Sequence, residues 1–214
     1  MNNTTTEQLS DLLNKLEELS RNPTKKKVIT GFDGFIDRIK KPVSARRGEE
    51  IEWFQSIKDF STRIAEASGK SGQIELVTEK TKPGGNAPIL ADILSRCNID
   101  CLCIGAMGYP LVHEIFSGEQ IGYRLISIRQ PGKSDAIELN DGKIIFSDLS
   151  VFNHYDWNYV KRAAGLEVIR REAEDTNLFA FVDWANLPEA SDIWEGMLND
   201  VIRNSSRSDR RFLF

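Results

Sequence analysis

Thr81 to Pro110 reads TKPGGNAPILADILSRCNIDCLCIGAMGYP, and this stretch decides the fold. A Gly-Gly-Asn turn at Gly84-Gly85-Asn86 opens a helix predicted over Asn86 to Arg96. A strand at Cys101 to Ile104 follows, and a Gly-x-x-Gly turn closes the unit at Gly105 to Gly108. Turns at strand ends and helix starts are where α/β proteins place their ligand sites. Gly84 and Gly85 lack a Cβ and let a ligand approach the backbone. Asn86 supplies a donor and an acceptor. Pro88 suits a first helical turn, where a missing N–H costs nothing.

Working outward, helix and strand alternate. Leu9, Leu12, Leu13, Leu16 and Leu19 recur at helical spacing and predict an N-terminal helix ending near Asn22-Pro23. Lys27 to Thr30 reads as a strand turning at Gly31, Ile51 to Ala67 as a helix, and Gln73 to Thr78 as a half-buried strand. Asp135 to Leu139 and Lys143 to Ser147 flank Asn140-Asp141-Gly142, a hairpin signal with its turn at Asp141-Gly142. Tyr155 to Glu174 predicts one long helix, Leu178 to Val182 a buried strand, and Ser191 to Asn204 another helix. Arg211 to Phe214 reads as the start of a further buried strand, so the fold is expected to be incomplete at its C-terminus. Such alternation implies a mostly parallel sheet covered by helices, with the hairpin projecting as a small β-flap.

With 214 residues the chain can bury one sizeable core. Its net charge of −4 gives no electrostatic case for nucleic acid or for an anionic membrane. The short basic runs at Lys25 to Lys27 and Arg207 to Arg211 read as solvated flanks. No apolar run reaches bilayer length, and MNNTTTEQLSDLL lacks the basic and apolar blocks of a signal peptide, so the cytoplasm is the expected compartment. Cys97, Cys101 and Cys103 have no fourth ligand nearby and are expected to be buried reduced thiols, with no metal site.

A second motif, Gly31-Phe32-Asp33-Gly34-Phe35-Ile36-Asp37, ends the first predicted strand. Carboxylates beside a glycine-rich turn can accept hydrogen bonds from a polyhydroxylated ligand. Asp33 also suits a turn residue capping the chain, and Asp37 a surface carboxylate paired with Arg38 or Lys40. Trp184 and Asn186 follow a strand end and are placed to line a pocket, although a tryptophan there also suits the core or its rim.

In motif and in order, Lys27 to Phe214 resembles the ribokinase-like, or PfkB-type, carbohydrate kinase family. The segments that carry the resemblance are Gly31 to Asp37, PGGNAPILADILSRCNID, CLCIGAMG, SDAIELNDGKIIF and LFAFVDWANL. The resemblance implies a three-layer α/β/α, Rossmann-type fold, as a single domain over 1–214 with flap segments near 33–45, 73–80 and 135–147. It implies substrate-binding residues Asp37, Gly84, Gly85 and Asn86, with Asp33 in reserve, and lid residues Ile137, Leu139 and Ile145. The flap in that family covers the substrate and often joins two subunits, so a homodimer through it is expected. The implied activity is phosphate transfer from ATP, with Mg²⁺, to a sugar or nucleoside hydroxyl.

The chain departs from the family's pattern at several points. Asp37 stands one residue further from Gly31 than usual, Ile89 replaces a second asparagine, and Tyr109-Pro110 replaces an aspartate. The phosphate-cradling Gly-Ala-Gly-Asp motif, whose aspartate is the family's catalytic base, occurs nowhere in the sequence. No catalytic residue is therefore expected in this chain. The nucleotide-binding C-terminal portion is expected to be absent, and the sugar-binding portion to be inactive alone. The alternative is a non-catalytic α/β ligand-binding or interaction module. A Rossmann dehydrogenase would need Gly-x-Gly-x-x-Gly after the first strand, and the spacing is wrong.

Overall fold

β1 (Lys27–Phe32) is apolar and β-branched enough to be buried on both faces, and it forms the middle of the sheet. It pairs in parallel with β5 (Asp100–Gly105) on one side and β9 (Leu178–Phe181) on the other. β6 (Arg124–Ser127) and β10 (Arg211–Leu213) complete a five-stranded parallel sheet of order β10-β9-β1-β5-β6. The structure is a computed structural model that describes residues 8–14, 26–118, 121–205 and 211–213.

Alternation along the strands builds two cores. Val28, Cys101 and Cys103 face Ala87 and Ala91 of α2 (Asn86–Arg96). Ile29, Leu102 and Ile104 face the other way, into a cluster with Phe32, Phe179, Phe181 and Tyr155. That second core is closed by α3 (Trp157–Ala164), α4 (Leu166–Glu174) and α5 (Ala190–Gly196), which continues as a π-helical turn over Met197–Ile202. Helices on both faces of a parallel sheet make the three-layer α/β/α architecture. Each fully buried phenylalanine contributes roughly 1.5–3 kcal/mol. Cys101 and Cys103 are buried thiols, and burial raises that of Cys101 to about 11. Cys97 corrects the expectation: it caps the exposed end of α2 and faces solvent.

A second sheet rises from the carboxyl edge of the first. After Asp33-Gly34 the chain runs into β2 (Phe35–Arg47), whose first half pairs antiparallel with β4 (Leu76–Gly84) and parallel with β7 (Gly132–Leu139). β8 (Gly142–Asp148) closes the hairpin with β7 around Asn140-Asp141, one residue earlier than the sequence signal placed the turn. The far half of β2 pairs with β3 (Glu50–Trp53).

Three expectations change. Residues 50–53 are strand, because Ile51 and its neighbours pair with β2, and α1 (Ile57–Ala65) starts only where Ser56 accepts a bond from the Asp59 N–H at 3.0 Å. The long helix predicted from Tyr155 breaks at Gly165, whose φ of +83° ends α3 and lets its carbonyl start α4. The strand predicted at Gln73 lies later, at Leu76–Gly84, and β6 gave no recognised signal. Residues 8–14 are helical, while Leu16, Leu19 and Asn22-Pro23 lie outside the described residues.

Candidate functional site

The parallel register of the main sheet gathers acidic groups at its carboxyl edge. Gly31 faces Phe181 across β1 and β9, so two residues further on Asp33 comes beside Asp183. Asp33 is 0% exposed. Its Oδ2 accepts the Asn86 N–H at 2.5 Å and its Oδ1 the Ala87 N–H at 2.8 Å. The N-cap of α2 is Gly85, which has no side chain to satisfy those donors. Asp33 therefore caps a helix 53 residues away in sequence. Burial pushes its carboxyl well above the usual carboxylate range, and the neighbouring Asp183 pushes it further. The two N–H bonds oppose the rise without cancelling it.

The lid supplies a polar row. Asp37 on β2 faces Ser134 on β7, and Ser134 faces Ser147 on β8. Residues directly opposed across strands share a face, so the carboxylate and two hydroxyls point the same way. These three line a cavity of about 390 Å³ with Phe35, Gly85, Asn86, Ile145, Asp183 and Asn186. Burial raises the Asp37 carboxyl, with Lys82 and Lys143 pulling the other way. Asn86 and Asn186 both donate to Asp183 Oδ1, at 3.3 and 2.7 Å. Asp183 itself holds a left-handed backbone, φ +66°.

Of the residues singled out in the sequence, Asp37, Gly85 and Asn86 meet in this cavity. Gly84 lies directly behind Asp37, where any Cβ would strike its carboxyl group. Asp33 is placed behind the turn rather than in the cavity wall. Ile145 lines the cavity, Ile137 is buried within the lid, and Leu139 lines a separate hollow beside Trp53. Trp184 turns outward and donates its ring N–H to Ser191. Sequence reading named Asn186 but not Asp183, Ser134 or Ser147. Asp183 was detectable as the first polar residue past β9, the edge rule that singled out Asp33. The serines become visible only through strand register.

The cavity therefore offers two carboxylates, two amides and two hydroxyls over a glycine turn. Among the described residues no group of three or more His, Cys, Asp or Glu side chains is placed to hold a metal. No helix of the described residues is long and apolar enough to cross a membrane.

A parallel sheet with helices on both faces and a β-lid over its carboxyl edge defines a ribokinase-like carbohydrate kinase fold. The chain superposes on a carbohydrate kinase from Agrobacterium tumefaciens with a TM-score of 0.51 and 18% identity, covering 80% of this chain and 48% of that one. The adenosine kinase from Sinorhizobium meliloti gives a TM-score of 0.53 at 13% identity, over 88% and 56%. The family model described as prokaryotic ketohexokinase matches residues 1–209, and the chain belongs to that family. A ketohexokinase from Haloferax volcanii is 26% identical over 178 residues, which is 82% of this chain and 47% of that protein. The chain thus spans about half the length of the curated relative it matches.

Proposed function

We propose that this chain is the sugar-binding portion of a carbohydrate kinase that phosphorylates a ketohexose hydroxyl. The supporting observation is the cavity between sheet edge and lid, where Asp37, Asn86, Asp183 and Asn186 converge with Ser134 and Ser147. A polyhydroxylated ligand satisfies such a wall, whereas an analogue lacking hydroxyls leaves buried polar groups unpaired. Asp37 accepts from sugar hydroxyls, Asn86 both donates and accepts, and Ile145 on the lid excludes water from above. ATP is the proposed phosphoryl donor. No step of the transfer is assigned to the described residues.

Asp37→Asn keeps the shape but removes the charge that strengthens the acceptor. Bonds to charged groups contribute about 1.5–3 kcal/mol and neutral ones about 0.5–1.5 kcal/mol, so the swap removes about 1–1.5 kcal/mol and D-fructose affinity should fall roughly 5- to 12-fold. Isothermal titration of both forms reads this, and equal affinities would remove Asp37 from the site. Turnover is expected to need residues beyond this chain, since the phosphate loop and base motif are missing from it. An ADP-release assay with ketoses, aldoses and nucleosides, run on this chain and on a longer version, tests that expectation. Sugar-dependent turnover by the 214-residue chain would show that its own residues suffice for catalysis.

A further inference from the structure

Asp183 combines two unfavourable features. Its backbone is left-handed at φ +66°, a conformation uncommon outside glycine and held only where the surroundings impose it. Its carboxylate also stands beside Asp33, whose carboxyl it pushes further up after burial has already raised it. Strain and like charge gathered at one residue in a cavity wall point to a role in the site. The hydrogen bonds of Asp183 show what that role is. A single oxygen, Oδ1, accepts from Asn186 Nδ2 at 2.7 Å and from Asn86 Nδ2 at 3.3 Å. Asn186 follows β9, whereas Asn86 opens α2, 97 residues before Asp183. One carboxylate thus joins two separate walls of the cavity.

A side-chain amide has two orientations of similar energy that interchange its oxygen and nitrogen. A carboxylate oxygen only accepts, so it selects the orientation that puts nitrogen toward it. Nitrogen and oxygen lie on opposite sides of the amide, so each Oδ1 is turned away from Asp183. Each asparagine keeps that oxygen and one N–H for other partners, and both residues line the cavity. On the sugar-binding reading of this cavity, on which the inference rests, we propose that Asp183 is a positioning residue. It fixes the amides of Asn86 and Asn186 together, so that two walls present carbonyl oxygens to sugar hydroxyls. Without it each amide is free to turn, and a sugar must order two side chains on binding.

Asp183→Gly removes the carboxylate and suits the left-handed backbone, so this variant should melt no lower than the unmodified chain. Its affinity for D-fructose should nevertheless fall roughly tenfold. A residue that only supported the fold would lower both together. Asp183→Asn keeps an acceptor oxygen and tolerates the same backbone, so it should recover part of the affinity. Heteronuclear NMR of the side-chain amides of Asn86 and Asn186 reads their orientation with no sugar present. In the unmodified chain the two protons of each amide should differ in shift and in exchange with water. In Asp183→Gly they should converge, and both should exchange faster. Amide signals unchanged in Asp183→Gly, or an affinity equal to that of the unmodified chain, would overturn the role of Asp183. Amide signals that respond to Asp183 in a chain that does not bind D-fructose would overturn the sugar-binding reading instead, and would leave the amide orientation assigned to Asp183.

Discussion

Asp33→Ala is expected to lower the unfolding free energy by about 3 kcal/mol, because two backbone N–H groups at the start of α2 lose their buried acceptor. Water cannot replace it where the carboxylate is fully buried. Asp33→Asn should cost less, since one amide oxygen still accepts. The two variants also differ in pH dependence. A carboxyl whose folded-state pKa is raised keeps its proton longer in the folded chain than in the unfolded one. Its contribution to stability is therefore fully present below the unfolded carboxylate range and is lost as pH rises through the folded pKa. Urea unfolding at a series of pH values should show that decline in the unmodified chain and a shallower one in Asp33→Asn. Identical slopes would mean that Asp33 is not the titrating group.

Gly85→Ala is the second large effect. Gly85 holds φ +96°, a backbone that L side chains rarely adopt, and a Cβ there would meet the Asp33 carboxylate at 2.8 Å and Gly34 Cα at 2.9 Å. The neighbours are a buried, hydrogen-bonded carboxyl group and a backbone, so neither yields cheaply. Backbone strain of about 1–3 kcal/mol adds to the displaced cap, and the melting temperature should fall by roughly 5–10 °C. Affinity for D-fructose should fall in parallel, because the turn that presents Asn86 moves with Asp33. Calorimetry and sugar titration on one sample read both effects. A variant that melts normally and still binds would show that the Gly85 turn is not tied to the Asp33 cap.

The glycine turn, the helix it opens and the cysteine-bearing strand were all legible in Thr81 to Pro110, because local propensity and burial pattern agree there. The hairpin was legible for the same reason, since its turn chemistry and its alternation point one way. Residues 50–53 misled because their apolar residues fit a helical stripe as well as a strand, and only pairing with β2 decides between them. Gly165 was visible as a residue, but the break it makes depends on where α3 and α4 must lie to cover Phe179 and Phe181.

The sequence by itself determined which residue types were available at the edge: Asp33, Asp37, Gly84, Gly85 and Asn86, each at a predicted strand end or helix start. Only the tertiary structure decided their division of labour. Both aspartates occur in one seven-residue motif and are alike in chemistry, so nothing local separates them. The parallel register of β1 with β9 and the crossing to β2 bury Asp33 against the amides of α2. The next few residues climb into the lid, where register aligns Asp37 with Ser134 and Ser147 over the cavity. Strand pairing is a long-range choice made by the whole core, and it turns two equivalent carboxylates into a helix cap and a cavity wall.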